Sequence, residues 1–120
     1  MTSPLVVPAA VVLFAYGTIV HVVQLAMGGY PEMPGWLAAY FVSLTFLDAL
    51  AVVLLLCRPA AGLVLGCFIM VTDAAANFYA NYVVDNSPGL TAGRVGQAVI
   101  TLLAVALVTL TPRTRQALRR

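Results

Sequence analysis

The sequence predicts an all-α integral membrane protein in which a bundle of four helices crosses the bilayer. Of its 120 residues, 62% are hydrophobic and only 8% are charged. In soluble domains, by contrast, about a quarter of the residues are charged. The mean hydropathy of the chain is +1.02, which is strongly apolar. A helix needs about 20 apolar residues to cross the hydrocarbon core, so this length allows four crossings joined by short loops. We therefore expect a single multi-pass domain over residues 1–120, placed in the lipid bilayer of the cell membrane.

Four apolar stretches define the predicted spans, and the breaks between them contain residues that end membrane helices. The spans are expected at about residues 5–28, 36–57, 60–84 and 95–111. The first break is rich in glycine and proline, the second is Arg58 followed by proline, and the third is segment 85–89. Because short connections make consecutive helices antiparallel neighbours, we expect an up-and-down bundle.

The basic residues, all of them arginine, predict the orientation of the chain. Arg58 lies in the second loop and four arginines follow span 4, whereas only Arg94 lies in the third loop. The positive-inside rule then places both termini in the cytoplasm, an N-in/C-in topology. Tyr30, Trp36 and Tyr82 fall where an outer aromatic belt is expected. Since the arginines form no basic face, we expect no nucleic-acid partner.

Two acidic residues lie in the middle of spans 2 and 3. Asp48 is 12 residues from Trp36 and Asp73 is 11 residues from Val84, so both lie roughly 16–18 Å deep at about 1.5 Å per residue. A carboxylate at this depth costs about 2.5–3.5 kcal/mol on insertion scales and normally faces the bundle interior at a functional site. No arginine or lysine lies within a span to neutralise the pair. We therefore expect the two acids to share a proton and to carry the function.

Other polar side chains recur at helical spacing between these acids and the outer ends of the spans. The candidates are His21 and Gln24 in span 1, Tyr40 and Thr45 in span 2, Asn77 and Asn81 in span 3, and Gln97 and Thr101 in span 4. We predict that Asp48, Asp73 and His21 are catalytic and that the others bind the substrate. Taken singly, asparagine and threonine more often hydrogen-bond between helices, and histidine is more often a satisfied core residue.

The sequence predicts neither a cofactor nor a metal site. It contains no nucleophile elbow, phosphate loop or dinucleotide fingerprint. A histidine with two aspartates and an asparagine is only a loose metal-ligand set. Cys57 and Cys67 have the spacing of neither a redox pair nor a metal clip, so we interpret them as packing residues.

The segment from Gly62 to Gly66 has the small-residue spacing that lets two membrane helices approach closely. Such packing occurs either within a chain or between subunits. A homodimer formed through Gly62 and Gly66 is the second of these expectations.

Three features resemble the EXPERA group of four-span membrane domains, which includes the emopamil-binding sterol isomerases and the sigma-2 receptor proteins. They are the run from Phe14 to His21, the acid in span 2, and the polar and aromatic run from Asp73 to Tyr82. The resemblance covers residues 14–82. It implies a lipophilic substrate held within the bundle, with Asp48 matching the span-2 acid and His21 the span-1 histidine.

These observations favour an enzyme that acts on a lipophilic small molecule by acid–base proton transfer, such as an isomerisation, a cyclisation or an epoxide opening. One alternative is a proton-coupled carrier for a small cation or drug, in which the acids exchange protons for cargo. The other is an accessory membrane subunit whose polar stripes bind a partner.

Overall fold

The computed structural model describes residues 4–119, all of whose regular structure is helical. Helix α1 is Val6–Ala26, α2 is Gly35–Cys57, α3 is Pro59–Tyr79 and α4 is Ala92–Leu118. Helix α3 continues directly into a π-helical turn, Ala80–Val84, which we call the π turn. All four helices are long and apolar enough to cross a membrane. The predicted four-helix membrane bundle is confirmed, while residues 1–3 and Arg120 of the predicted domain lie outside the described residues.

The helices pack in chain order, α1 on α2, α2 on α3 and α3 on α4, and α1 touches α4 only sparsely. The most deeply buried side chains come from α2 and α3: Leu37, Leu44, Leu55, Leu63 and Ile69. Large apolar side chains also cover the outside, as a surface in contact with lipid requires. The arrangement leaves a seam between α1 and α4.

Gly62 and Gly66 bring α3 against its neighbours within the same chain. A Cβ atom at Gly62 would lie 2.6 Å from the backbone nitrogen of Leu55 in α2, and one at Gly66 would lie 2.8 Å from the ring of Phe14 in α1. Both glycines are buried. The close approach that their spacing predicts occurs within the chain, and the homodimer stays a prediction.

Helix α4 is longer than its predicted span, whereas the bounds of α1, of α2 and of α3 taken together with the π turn agree with prediction to within two residues. It begins after Thr91, whose hydroxyl accepts a backbone N–H at 3.1 Å, and it passes through Pro112 instead of ending at residue 111. Membrane helices tolerate internal proline where side-chain hydroxyls bond to nearby carbonyl groups. Thr111 does so, donating to the carbonyl of Leu107 at 2.6 Å.

Loops 1 (27–34) and 3 (85–91) lie at one end of the bundle, which we call the loop-1 end. Arg58 makes the tight turn at the opposite end, which we call the loop-2 end.

Arg94 holds loop 3 against the π turn. Its guanidinium donates to the carbonyl of Asn81 at 2.9 Å, to that of Asp85 at 3.2 Å and to that of Gly89. It also lies 4.9 Å from the centre of the Tyr82 ring. Carbonyl groups that the helix end leaves unpaired are satisfied in this way.

Candidate functional site

A cavity of about 420 Å³ opens between the four helices, in the half of the bundle nearer the loop-1 end. Asp48, Asp73 and His21 line it together with Gln24 and Asn77. Much of the remaining wall is apolar, with Phe14, Val20, Phe41, Met70, Ile100 and Leu103 among its residues. Asp48 is only 4% exposed. Both acids therefore face the interior of the bundle and not the lipid.

Asp48 of α2 faces a position of α1 that has no side chain. That position is Gly17, where a Cβ atom would lie 2.7 Å from Oδ2 of Asp48. One turn along α1, Nε2 of His21 lies 3.6 Å from the same oxygen. This contact with the imidazole is the ion pair that the described residues provide for Asp48.

His21 is linked to the loop-1 end by Tyr30 and Gln24. Nδ1 of His21 lies 3.2 Å from the phenol oxygen of Tyr30, and that hydroxyl donates to Oε1 of Gln24 at 2.7 Å. Since the single phenol proton is used toward Gln24, Nδ1 must carry the hydrogen of the His21–Tyr30 bond. Nε2 is then free to exchange a proton with Asp48. The order Asp48, His21, Tyr30 and Gln24 forms a continuous polar path out of the cavity.

Tyr30, predicted from the sequence as part of an outer aromatic belt, also belongs to the cavity. Gly28 and Gly29 have φ angles of 114° and 76°, which side chains rarely adopt, and they turn the chain back over the end of α1. The Tyr30 ring then packs on Phe41, with 5.3 Å between ring centres, and lines the cavity. The glycine pair just before Tyr30 is the signal that sequence reasoning missed. Burial, and then the charge of Asp73, raise the pKa of the Tyr30 phenol, which keeps its proton at neutral pH.

Asp73 has a different environment, created within α3. The side-chain amide of Asn77, one turn later, donates to Oδ1 of Asp73 at 2.5 Å and to its backbone carbonyl at 3.0 Å. The amide thus fixes one carboxylate oxygen of a residue that lines the cavity. The two acids thus differ, since Asp48 faces an imidazole and Asp73 an amide donor.

Five residues predicted to bind substrate do not line this cavity: Tyr40, Thr45, Asn81, Gln97 and Thr101. The hydroxyl of Tyr40 bonds instead with that of Thr72 in α3, at 2.6 Å. The amide of Asn81 donates to the Asn77 carbonyl at 2.8 Å, and its backbone carbonyl accepts from Arg94. Both residues fasten structural elements together.

Thr45, Gln97 and Thr101 also bond within their helices or face protein. The amide of Gln97 donates to the Thr101 hydroxyl at 3.0 Å, and this hydroxyl donates to the Gln97 carbonyl at 2.9 Å. Among the described residues, the Thr45 hydroxyl and Oε1 of Gln97 are buried without a hydrogen-bond partner. Helical phase alone did not separate side chains that reach the cavity from those at helix contacts.

Across residues 4–119, no three His, Cys, Asp or Glu side chains are grouped so as to hold a metal ion. Comparison of the chain with protein-family models, with curated proteins and with solved structures gives no match. Fold and cavity define the class: a multi-pass membrane protein with two acids, a histidine and a tyrosine around a cavity between its helices.

Proposed function

We propose that this chain is a membrane-embedded enzyme that transfers protons to and from a lipophilic small molecule, with Asp48 and Asp73 as its acid and base. The observation that carries the proposal is that both carboxylates line one cavity. Its volume of about 420 Å³ suits a small molecule, since ligand sites usually measure about 300–1,000 Å³. The mainly apolar wall favours a lipophilic substrate, the class that the EXPERA resemblance also implies.

The surroundings of each acid suggest its role. Asp48 faces Nε2 of His21, with which it can exchange a proton, so it suits the part of the general acid. Asp73 accepts from the Asn77 amide, which stabilises a carboxylate, so it suits the part of the base. In an isomerisation, Asp48 adds its proton to one carbon of a double bond, and Asp73 removes a proton from the carbon attached to the other end of that bond, so the double bond moves by one position. The cycle closes when the imidazolium form of His21 gives the Nε2 proton to Asp48 and Asp73 releases the proton that it removed.

Packing favours an enzyme over a proton-coupled carrier. Between α2 and α3, the half of the bundle nearer the loop-2 end is closely packed with apolar side chains, among them Ala51, Leu55 and Leu63, each at most 1% exposed, and the space between α1 and α4 there has only apolar lining. A carrier needs a route to both sides of the membrane, whereas an enzyme needs only a site that excludes water. We place the chain in the cell membrane with both termini in the cytoplasm, on the distribution of its arginines.

The test uses solvent deuterium, because proton transfer to carbon leaves an isotope in the product. The purified protein in lipid nanodiscs is incubated in D2O with a lipid extract of the source cells and, separately, with an isoprenoid alkene and a terpene epoxide. Mass spectrometry then detects new or deuterated products. Changing Asp48→Asn or Asp73→Asn should lower turnover by at least about 100-fold, the usual scale of general acid–base catalysis.

The matched control is Asp85→Asn, the same chemical change at a partly exposed loop residue outside the cavity. It should turn over at the wild-type rate. Products that form equally well with Asp48→Asn and Asp73→Asn would contradict the proposal. Uptake of an unchanged compound into vesicles, driven by a proton gradient, would support the carrier instead.

A further inference from the structure

A second, apolar groove of about 290 Å³ continues from the cavity along the seam between α1 and α4 toward the loop-2 end. Its lining consists of alanine, valine and leucine alone. Leu13 of α1 and Leu103 of α4 line both the cavity and the groove, so the two spaces meet there. The seam therefore contains one elongated site that is polar at one end and apolar at the other.

We propose that the substrate is a single-chain amphiphile, with its reacting polar or unsaturated end at Asp48 and Asp73 and its hydrocarbon chain in the α1–α4 groove. This rests on the proposed function, whose substrate class it narrows. From Gly17, which is level with Asp48, to Val6 in the groove there are 11 residues, a distance of roughly 16 Å. An extended chain of roughly a dozen methylene groups spans it.

The floor of the groove has the shape that a single chain requires. Ala9 and Ala10 of α1 and Ala106 of α4 contribute only methyl groups, so the two helices leave a narrow furrow between their larger side chains. The occupant must also place a polar or reactive group at mid-bilayer depth, beside the acids. The acyl chains of bulk phospholipids carry no such group there, since their polar parts lie at the membrane surface.

The experiment is photocrosslinking in lipid nanodiscs with a sixteen-carbon primary alcohol that carries a diazirine at the end of its chain furthest from the hydroxyl. Peptide mass spectrometry maps the attached probe. We expect labels on residues 5–13, at the start of α1, and on residues 103–110 of α4. A phosphatidylcholine with the same diazirine at the end of one acyl chain is the second probe, and it should label the lipid-facing surface without preference for the groove.

Ala106→Leu fills the furrow at an exposed position where a larger side chain disturbs no packed core, and Ala9→Leu does so from α1. Each should lower groove labelling by the alcohol about fivefold or more, because van der Waals contact is what favours the groove over bulk lipid. Ala61→Leu, an exposed alanine of α3 outside the groove, is the control and should leave labelling unchanged.

Asp48→Asn separates this inference from the proposed function, because the variant should lose turnover and keep its groove labels. Labelling that Ala106→Leu and Ala9→Leu leave unchanged would overturn the inference. So would equal labelling of the groove by the phosphatidylcholine probe. Neither of these outcomes would change the result of the deuterium test, which measures acid–base catalysis and not the position of the hydrocarbon chain.

Discussion

The position of the Asp48 carboxylate depends on the residue that faces it across the α1–α2 contact. Gly17 leaves the space that Oδ2 of Asp48 occupies, and His21 lies one turn further along the same helix. A small residue and a histidine four positions apart thus create a recess with a proton partner at its edge. The absence of a side chain at Gly17 therefore allows the Asp48 carboxylate to occupy its position at the cavity.

Gly17→Ala should therefore impair the site without impairing membrane insertion. The added Cβ would lie 2.7 Å from Oδ2 of Asp48, so the carboxylate must move away. A misplacement of about 1 Å can lower the rate by about 100-fold. Turnover and membrane yield are measured together, with Gly35→Ala as the control because a Cβ there meets no atom within 4 Å. Full activity in Gly17→Ala would show that the observed position of Asp48 is not needed.

Tyr30→Phe tests the polar path from His21 to the loop-1 end. The change keeps the ring on Phe41 and removes the hydroxyl that bonds to His21 and Gln24. With a net contribution of about 1 kcal/mol per hydrogen bond, we expect turnover to fall about tenfold. Since burial raises the pKa of this phenol, it stays protonated up to at least its usual range. The wild-type pH–rate profile should therefore lack a decline caused by Tyr30 below about pH 10. Unchanged turnover in Tyr30→Phe would remove this residue from the mechanism.

At the scale of helices, hydropathy predicted four spans because each contains enough apolar residues to cross the bilayer. It could not predict that α4 continues through Pro112, since nearby hydroxyl groups, and not hydropathy, make this possible. The acids and His21 were predicted from their depth, and the cavity contains all three. Tyr30 was missed because the backbone turn at Gly28 and Gly29, and not helical phase, brings it there.

Arg94 connects two structural elements, because its guanidinium bonds loop 3 to the π turn. Lysine at this position keeps the charge but loses the planar group that reaches three carbonyls and the Tyr82 ring. Arg94→Lys should lower the free energy of unfolding by about 1–2 kcal/mol. Thermal unfolding in detergent measures this. Arg113→Lys, at an exposed position of α4, should behave as wild type. Equal unfolding temperatures for the wild type, Arg94→Lys and Arg113→Lys would contradict the stabilising role of Arg94.

For the whole molecule, the two ends of the bundle differ in what they contain. The cavity with the polar side chains opens in the half nearer the loop-1 end, whereas the half nearer the loop-2 end contains an apolar core and the apolar groove between α1 and α4. The arginines are concentrated at the loop-2 end, away from the polar cavity, with Arg58 in the loop-2 turn and others in the last turns of α4. The orientation of the chain therefore decides which face of the membrane supplies protons to the site.

We predict that both termini are cytoplasmic and that the loop-1 end faces outward. In the described part of the chain, Arg58, Arg113, Arg115 and Arg119 lie at or beyond the loop-2 end, and Arg120 follows them in the sequence. The positive-inside rule counts such residues within short loops and next to spans. Arg94, the exception, has a structural reason for its place, because it bonds to the carbonyls of Asn81, Asp85 and Gly89. A reporter that is active only outside the cytoplasm, fused after Arg120, should be silent, and the same reporter inserted in loop 3 after Ser87 should be active. The opposite pattern would invert the topology and place the opening of the cavity on the cytoplasmic side.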